Sequence, residues 1–275
     1  MMKRNASVFI TGATGFIGSH LAELCVERGH NVIAFDRYNS NNHWGWLEDS
    51  PHRKSMQVIL GDVRDYDSVS KAMKGCDVVF HLAALIGIPY SYSSPLAYIR
   101  TNVEGTYNVL EAARNQDVDR VIVTSTSEVY GTAQYAPIDE KHPRQPQSPY
   151  SATKIGADAL ADSFYRSFSL PVTIARPFNT YGPRQSARAI IPTIITQLLN
   201  NEEQIHLGSL EPTRDLNYVG DICNGFLALA GCDALLGKEV NIGSGEEISM
   251  GDLAQMIIGL INPAARVTTD DQRKR

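Results

Sequence analysis

Tyr150 and Lys154, separated by three residues, form the first pair in this sequence that could do chemistry. Ser148 is a suitable N-cap and Pro149 is favoured at the first helical position, so we predict that a helix begins here. Positions i and i+4 lie on one face of a helix, which brings the lysine ammonium near the phenol. Because a nearby cation favours the phenolate, the pair predicts a tyrosine that acts as a base. Taken alone, the spacing also fits two ordinary residues on an exposed helix face.

A second group of polar side chains follows the strand predicted over residues 119–125. Residues 124–131 read Thr-Ser-Thr-Ser-Glu-Val-Tyr-Gly. The carboxyl end of a central strand faces the ligand crevice of an open α/β sheet, so Thr126 and Glu128 are placed to meet a ligand. A polar turn in which Glu128 caps a backbone group is the alternative interpretation.

A phosphate-binding turn is predicted at residues 10–18, which read Ile-Thr-Gly-Ala-Thr-Gly-Phe-Ile-Gly. A strand enters a helix here through glycines spaced three apart, so backbone N–H groups and the helix end can face a pyrophosphate. Asp36 follows the next strand, about 20 residues on, where an acid accepts hydrogen bonds from an adenosine ribose. These features predict a dinucleotide, and Asp36 favours NAD over NADP, although the neighbouring Arg37 could partly accommodate a 2′-phosphate. An ordinary glycine-rich turn is the alternative.

The elements that must position these residues alternate along the first two thirds of the chain. Strands are predicted over residues 6–11, 31–35, 56–61, 77–82, 119–125 and 171–176, and helices over 16–28, 65–74, 95–115 and 149–168. Strands that read as continuous apolar runs between helices indicate a parallel sheet covered on both faces. The expected fold class is α/β, a Rossmann-type doubly wound parallel sheet.

Past residue 177 the pattern is looser. Helices are predicted over residues 187–200, from 220 and over 249–261, and strands over 204–207, 215–219 and 239–242. We therefore expect residues 1–177 to form the cofactor domain with the Tyr/Lys helix. Residues 178–275 would form a smaller substrate-binding lobe, interleaved with the first domain.

The composition excludes several classes of protein. The net charge of −5 argues against a nucleic-acid-binding protein, and no apolar run is long enough to span a membrane. Residues 1–5 lead directly into the first strand, so we expect no signal peptide. The four cysteines share no metal-ligand spacing, which predicts free thiols, no metal site and a cytoplasmic protein.

Together, these motifs resemble those of the extended short-chain dehydrogenase/reductases, specifically the nucleotide-sugar epimerases and dehydratases. The resemblance covers the whole chain. It includes the glycine turn at 12–18, Gly-Asp-Val at 61–63, His-Leu-Ala-Ala at 81–84, Asn102, the segment 125–131, Tyr150 with Lys154, Arg-Pro-Phe-Asn-Thr-Tyr-Gly-Pro-Arg at 176–184 and Arg-Asp-Leu-Asn-Tyr-Val at 214–219.

The resemblance implies NAD as the cofactor and a nucleotide sugar as the substrate. Asp62 and Val63 would flank the adenine. The residues expected at the cofactor are Gly12, Thr14, Gly15, Phe16, Ile17, Gly18, Asp36, Arg37, Asp62, Val63, Leu82, Ala83, Ala84, Asn102, Thr124, Tyr150, Lys154 and Pro177. Those expected at the substrate are Ile86, Thr126, Asn179, Arg184 and Arg214, of which Asn179 and Arg214 would hold the diphosphate.

Within this family, the reaction type is read from the triplet that stands here as Thr126, Ser127 and Glu128. The triplet resembles that of GDP-mannose 4,6-dehydratases, UDP-glucuronate decarboxylases and legionaminic-type 4,6-dehydratases. Residues 38–47 and 177–192 look most like the legionaminic-type enzymes, whose substrates are nucleotide-activated N-acetylglucosamine. The implied activity is that of an NAD-dependent nucleotide-sugar 4,6-dehydratase, a lyase, acting on a UDP- or GDP-N-acetylglucosamine type of substrate. The implied catalytic residues are Thr126, Ser127, Glu128, Tyr150 and Lys154.

In the implied mechanism, Tyr150 takes the O4 proton while C4 gives a hydride to the nicotinamide, and Thr126 hydrogen-bonds O4. Glu128 then removes the C5 proton, the C6 hydroxyl leaves as water, and the hydride returns to C6. Deoxythymidine-type relatives have an aspartate where Ser127 stands, so Glu128 or water must protonate the leaving hydroxyl here. A 4-epimerase, a UDP-glucuronate decarboxylase and a non-enzymatic cofactor sensor or scaffold remain alternatives.

The resemblance also implies a homodimer through helices 95–115 and 149–168. Each helix has a second apolar stripe, made of Ile99, Val103 and Leu110 and of Ala157, Phe164 and Phe168, although these residues could simply pack on the sheet. We expect Trp44 and Trp46 to cover the substrate or cofactor edge, with the core as the alternative. Family members commonly extend beyond the point where this chain ends at 273–275, so we expect a truncated substrate lobe.

Overall fold

The computed structural model describes residues 2–200 and 203–269, and the chain folds into two compact units. The first contains the residues up to Pro177 together with Val219–Ile242, and the second contains Phe178–Tyr218 and the residues from Gly243 onward. The sequence-based division at residue 177 assigned 219–242 to the substrate lobe. The structure corrects this assignment, because the strand Glu239–Ile242 pairs with the strand that ends at Pro177.

The strands were predicted to within two residues throughout the first unit. In chain order the strands of the two units are β1 Ser7–Thr11, β2 Asn31–Arg37, β3 Met56–Gly61, β4 Val78–His81, β5 Arg120–Thr124, β6 Val172–Pro177, β7 Asn179–Tyr181, β8 Gln204–Leu207, β9 Thr213–Arg214, β10 Leu216–Tyr218, β11 Glu239–Ile242, β12 Ile248–Ser249 and β13 Arg266–Thr269.

The helices follow the predictions with one interruption and one addition, the helix Ile88–Ser93, which the sequence analysis did not predict. They are α1 Phe16–Glu27, α2 Tyr66–Met73, α3 Ile88–Ser93, α4 Pro95–Tyr98, α5 Gly105–Asn115, α6 Pro149–Phe168, α7 Ile190–Leu199, α8 Val219–Ala230 and α9 Met250–Ile261. The helix predicted over 95–115 is divided, because a π-helical stretch, Ile99–Glu104, separates α4 from α5.

The first unit is a doubly wound parallel sheet, as the sequence predicted. Its seven strands lie in the order β11-β6-β5-β4-β1-β2-β3, and all of their pairings are parallel. One apolar cluster joins the sheet to α1 and α8, and a second joins it to α2, α5 and α6. The carboxyl ends of the central strands therefore meet at one edge of a sheet that is buried on both faces.

The second unit has its own small core. Helices α7 and α9 pack together with β8, and the buried side chains include Ile194, Ile205 and Leu253. Three two-stranded pairings complete it: β7 with β10, β8 with β13, and β9 with β12. The sequence analysis did not predict β7, β9, β12 or β13, which are two to four residues long and show no clear hydrophobic period.

Two further features concern membranes and metals. Within residues 2–200 and 203–269, no helix is both long and apolar enough to cross a bilayer. Cys25, Cys76 and Cys223 are buried free thiols and Cys232 is a half-buried one. The described parts of the chain contain no cluster of three or more His, Cys, Asp or Glu side chains placed to hold a metal ion. The chain end at 273–275, on which the truncation prediction rests, lies outside the described residues.

Candidate active site

The glycine turn between β1 and α1 is built by backbone packed directly on backbone. Gly12 has a φ of +69°, and a Cβ atom there would lie 2.8 Å from the amide nitrogen of Ala83. A Cβ at Gly18 would lie 2.1 Å from the Gly12 carbonyl oxygen. Helix α1 begins at Phe16 with no side-chain cap on Gly15, so the first-turn amides of the helix, which lack intrahelical partners, can bind an anion. The turn therefore fits the pyrophosphate of a dinucleotide.

Asp36, at the end of β2, joins that strand to the glycine turn. Its Oδ2 accepts hydrogen bonds from the Thr14 amide at 2.8 Å and from the Thr14 hydroxyl at 2.6 Å. Its Oδ1 accepts one from the Arg37 amide at 2.6 Å. Each carboxylate oxygen has two lone pairs, so Asp36 keeps acceptor capacity for ribose hydroxyls while it holds Thr14 in place.

Asp62 and Val63, which follow β3, were expected to flank the adenine. In the structure, contacts within the protein hold both residues. Asp62 forms a charge-assisted pair with Arg64, and this contact lowers the pKa of the Asp62 carboxyl. The Val63 side chain is buried against Gly105 of α5, and the Asn108 amide donates to the Val63 carbonyl oxygen at 3.0 Å. Only the backbone of Val63 is therefore available to an adenine. The resemblance implied that Val63 flanks the adenine, and this contact is thus limited to its backbone.

His81 is a buried structural histidine that organises the segment Leu82–Ala84. The Thr106 hydroxyl donates to the Asn102 carbonyl oxygen at 2.6 Å, so it accepts from His81 Nε2 at 2.9 Å. His81 Nδ1 then accepts from the Thr11 hydroxyl at 2.7 Å. Burial lowers the pKa of His81 to about 3, which keeps this neutral tautomer. The Thr11 oxygen in turn accepts from the Leu82 and Ala83 amides, so the network fixes the backbone beside Gly12.

Asn102, expected at the cofactor, has a positioning role in the structure. Its side chain is buried, with Oδ1 accepting from the Leu85 amide at 2.8 Å. Its Nδ2 donates to the Leu85 carbonyl at 3.0 Å and to the Thr153 hydroxyl at 3.0 Å. Both the oxygen and the nitrogen of the Asn102 amide thus hold the segment after β4 against α6. This geometry favours a positioning role for Asn102 over direct contact with a cofactor.

Helix α6 begins as the sequence predicted. Ser148 is the N-cap, and its hydroxyl accepts from the Ser151 amide at 3.1 Å. The Ser151 hydroxyl accepts from the Ser148 amide in return, which completes a capping box, and Pro149 occupies the first turn. This rigid helix start places Tyr150 and Lys154 in the first two turns.

The structure brings Thr126, Glu128, Tyr150 and Lys154 together. The Thr126 hydroxyl and the Glu128 carboxylate both lie close enough to the Tyr150 phenol to affect its pKa. Tyr150 is buried, and the ring of Tyr98 packs edge-on against it with centroids 6.3 Å apart. Both predicted polar groups, on β5 and on α6, therefore belong to one site.

The sequence analysis expected Lys154 to lower the pKa of Tyr150. Within the protein itself this expectation is wrong. Burial and the Glu128 carboxylate raise the pKa of Tyr150, while the Thr126 hydrogen bond lowers it only in part. The Lys154 ammonium instead donates to the Thr124 carbonyl oxygen at 2.5 Å. Burial lowers the pKa of Lys154 to about 8, against the opposing effect of Asp158.

Ser127 and Glu128 lie on a single 3₁₀ turn, Ser127–Tyr130, for which Thr126 is the N-cap. The Thr126 oxygen accepts from the Glu128 amide at 3.2 Å, so the threonine contacts both the turn and Tyr150. Glu128 is half-buried, and its carboxylate accepts no hydrogen bond from the part of the chain that the structure describes. A carboxylate in this state can take up a proton from a bound molecule.

The other residues expected at the substrate are divided between the units. Ile86 follows β4 in the first unit and is exposed. Asn179 lies in β7, Arg184 follows it with a φ of +69°, and the exposed Arg214 lies in β9, all in the second unit. Asp215, next to Arg214, accepts from the Ser244 hydroxyl at 2.7 Å and from the Gly245 amide at 3.0 Å. This carboxylate therefore fixes the loop beside Arg214.

Pro177 and the two tryptophans complete the residues expected near a ligand. Pro177 is the buried last residue of β6. Trp44 is half-buried against the apolar cluster below α1 and lies under the Arg53 guanidinium, which is 4.5 Å from its ring centroid. Trp46 is half-exposed, and its amide donates to the Thr14 carbonyl at 3.1 Å. Trp44 therefore packs with the core, the alternative that the sequence left open, and the Trp46 backbone contacts the glycine turn.

Sequence reasoning missed the buried charges behind the site. Asp158 and Arg176 form an ion pair at 2.9 Å with both side chains fully buried. The spacing of Asp158, four residues after Lys154 on the same helix, was the available signal. The sequence analysis considered Arg176 only as part of the motif at residues 176–184.

A glycine turn that leaves no space for side chains, with an acid at the end of β2, is typical of a dinucleotide-binding enzyme. The Oγ1 atom of Thr124 fits this class too, because it is buried and has no hydrogen-bond partner within residues 2–200 and 203–269. The protein is thus an α/β enzyme whose tyrosine, threonine and glutamate lie at the carboxyl edge of the sheet.

Comparison with known proteins identifies the family. Residues 9–275 match the family described as GDP-mannose 4,6 dehydratase. A putative UDP-glucose 4-epimerase of Methanocaldococcus jannaschii is 34% identical over 257 residues, which covers 91% of this chain and 81% of the relative. The chain therefore belongs to the nucleotide-sugar epimerases and dehydratases of the extended short-chain dehydrogenase/reductases, an NAD-dependent enzyme family.

Solved structures of both activities are similar to this chain. The UDP-N-acetylglucosamine 4-epimerase from Methanobrevibacter ruminantium has a TM-score of 0.90 at 31% identity and covers 99% of this chain and 87% of its own. The dTDP-glucose 4,6-dehydratase DesIV from Streptomyces venezuelae, solved with NAD bound, has a TM-score of 0.85 at 27% identity. That match covers 98% of this chain and 87% of DesIV.

Proposed function

We propose that this enzyme is a nucleotide-sugar 4,6-dehydratase, acting on a UDP- or GDP-activated N-acetylglucosamine type of sugar. The observation that carries the proposal is Glu128. A half-buried carboxylate without a partner in the described chain lies beside the Tyr150 phenol, so the site holds a second base next to the first. Oxidation at C4 needs one base, whereas elimination across C5 and C6 needs a second one.

The residues suited to hold NAD are those around the glycine turn. The amides that follow Gly12 and Gly15 would bind the pyrophosphate, Asp36 would accept from the adenosine ribose, and Leu82–Ala84 would line the nicotinamide side. The bound cofactor supplies a reversible hydride acceptor. Thr124, through its unpartnered hydroxyl, and Lys154 would hydrogen-bond the cofactor near the reacting carbon.

The protein's own groups would carry the proton transfers. Tyr150 removes the O4 proton of the sugar, and Thr126, which lies beside the phenol, orients O4. The resulting 4-ketone acidifies C5–H, and Glu128 removes that proton. Glu128 then gives the proton to the departing O6, since Ser127 supplies no carboxyl group. Asn179, Arg184 and Arg214 would hold the substrate, with Asn179 and Arg214 on the diphosphate.

A 4-epimerase is the second candidate, because the UDP-N-acetylglucosamine 4-epimerase from Methanobrevibacter ruminantium is similar over nearly the whole chain. An epimerase shares the C4 oxidation but returns the hydride to the other face of C4, which gives Glu128 no proton to take. A UDP-glucuronate decarboxylase also fits the triplet at 126–128, but the sequence offers no evident additional arginine for the substrate carboxylate. A non-enzymatic cofactor sensor would not need the Tyr150 and Lys154 pair.

Incubation with a panel of UDP-, GDP- and dTDP-activated sugars tests the proposal. A dehydratase forms a 4-keto-6-deoxy product that develops a chromophore in alkali, and mass spectrometry registers the loss of one water. An epimerase gives a product of unchanged mass. Recovery of the C4 epimer with no mass change would replace the dehydratase proposal by its epimerase alternative.

We also propose that the enzyme is a cytoplasmic homodimer through α4, α5 and α6. Part of the predicted stripe is corrected by the structure, because Leu110, Ala157 and Phe164 are buried within the first unit. Ile99, in the π-helical stretch before α5, and Phe168, at the end of α6, are exposed. Tyr107 of α5 is a third exposed side chain. Exposed apolar residues on neighbouring helices support a four-helix contact between two copies.

A further inference from the structure

A chain of buried polar groups runs from the middle of α6 to the edge strand β11. Asp158 Oδ2 accepts from the Ser125 hydroxyl at 2.9 Å and from Arg176 Nη2 at 2.9 Å. Arg176 also donates to the Tyr130 phenol at 3.0 Å and forms an ion pair with Glu239 Oε2 at 2.9 Å. The Asp158 and Arg176 side chains are both fully buried. The guanidinium thus lies between the site segment, the turn after it and the sheet edge.

This arrangement is not explained by packing. Removing two charges from water is expensive, and a buried ion pair can often be replaced by apolar residues without loss of stability. Asp158 is also incompletely satisfied, because its Oδ1 has no hydrogen-bond partner in the described residues. Burial raises the pKa of the Asp158 carboxyl, although Arg176 opposes that effect. The buried ion pair is therefore weak evidence of stabilisation of the fold. A role in the site accounts better for its presence.

The pair reaches the site through the end of β5. Helix α6 contacts this segment twice, because Lys154 donates to the Thr124 carbonyl and Asp158 accepts from Ser125. The next residue is Thr126, whose hydroxyl lies beside the Tyr150 phenol at the start of the same helix. The two contacts fix the distance between β5 and α6 immediately before the residue that must meet the phenol.

We propose that Asp158, supported by Arg176, is a positioning residue that holds the β5 end against α6 and keeps the Lys154 side chain charged. The proposal rests on the proposed function of Tyr150 and Lys154. In this proposal, Asp158 touches neither the substrate nor the cofactor. It acts through Ser125 and Lys154.

The electrostatic part concerns the groups that face Lys154. On its own helix this is Asp158, and on β4 it is the neutral His81. Burial lowers the pKa of Lys154 to about 8, and the Asp158 carboxylate opposes this effect. Without that carboxylate, Lys154 would lose its proton at a lower pH.

The Asp158→Asn variant tests this directly, since it keeps the shape and an acceptor for Ser125 but removes the charge. The titration of Lys154 is followed by NMR of protein labelled with carbon-13 at the lysine ε-carbon, with Lys154→Met used to assign the signal. We expect the midpoint to fall by about one pH unit or more in Asp158→Asn. The matched control is Asp162→Asn, one turn further along α6, where the carboxylate pairs with Arg166 at the surface and the Lys154 midpoint should not move. An unchanged midpoint in Asp158→Asn overturns the proposal.

Ser125→Ala provides a second, milder test that leaves every charge in place. Loss of the contact to Asp158 loosens the β5 end, so we expect kcat to fall about tenfold with KM nearly unchanged, while Lys154 titrates as in the parent. A Ser125→Ala enzyme with the parent kcat also overturns the proposal. The NMR result needs no substrate: a shifted Lys154 midpoint in a protein that turns over no nucleotide sugar supports the positioning role and contradicts the proposed function.

Discussion

At the scale of single residues, the question is which group takes each proton. Tyr150 and Glu128 lie together, but the structure gives them different surroundings: the phenol is buried and its pKa is raised, whereas the carboxylate is half-buried and has no partner in the described chain. A buried phenol and a half-buried carboxylate beside it can act on two different protons in sequence. This difference supports separate roles.

Tyr150→Phe and Glu128→Gln should therefore fail at different steps. Tyr150→Phe lacks the base for C4 oxidation, so no 4-keto species should form. Glu128→Gln should still oxidise C4 but should not exchange the C5 hydrogen with solvent deuterium. The measurement is deuterium incorporation at C5 by mass spectrometry. Exchange at the parent rate in Glu128→Gln would remove the main support for the dehydratase assignment.

Ser127 should contribute much less than its neighbour. It stands where deoxythymidine-type relatives have an acid, but a serine can only orient a hydroxyl or a water, an interaction worth about 1 kcal/mol. We expect Ser127→Ala to slow turnover by less than about tenfold, and Glu128→Gln to slow it by about 10² or more. Steady-state kinetics with the accepted sugar compares the two. Equal losses would mean that the proton donor has been assigned wrongly.

At the scale of elements, the site depends on how closely α1 approaches the glycine turn. Because a Cβ at Gly18 would lie 2.1 Å from the Gly12 carbonyl, Gly18→Ala must push the helix away from the turn. We expect NAD affinity to fall more than about tenfold by calorimetric titration, since the first-turn amides move with the helix. Gly259→Ala is the control: this glycine of α9 has open space around its Cβ position, so the variant should bind NAD like the parent. Unchanged affinity in Gly18→Ala would show that the turn does not bind the pyrophosphate.

The elements were largely predictable from sequence, but the contacts between them were not. Strands β1–β6 and α6 follow from apolar runs, glycines and the Ser148–Pro149 cap, all of which are local signals. His81 shows the limit, because its neutral state depends on Thr11 and Thr106, which are distant in sequence. Asp158 and Arg176 meet for the same reason only after folding. Local patterns indicate which residues are polar, whereas tertiary pairing decides which of them are free to react.

At the scale of the whole molecule, the proposed dimer depends on apolar residues that the first unit leaves exposed. Ile99→Glu places a charge in the proposed contact and should convert the protein to monomers, as measured by light scattering after size exclusion. Ile261→Glu introduces the same change at a partly exposed position of α9 and should leave the dimer intact. A parent protein that is monomeric at micromolar concentration would contradict the proposed dimer.

The return of β11 to the sheet also has a consequence for synthesis. Strand β6 ends at Pro177, but its neighbour β11 begins at Glu239, after β7 to β10 have been made. A growing chain therefore presents β6 as an open edge while the second unit is still emerging from the ribosome, which is when unpaired strands associate wrongly. A chain that stops at residue 230 should reproduce this stage and self-associate, as sedimentation would detect. The order of translation, and not only the final fold, then sets how much of this protein matures correctly.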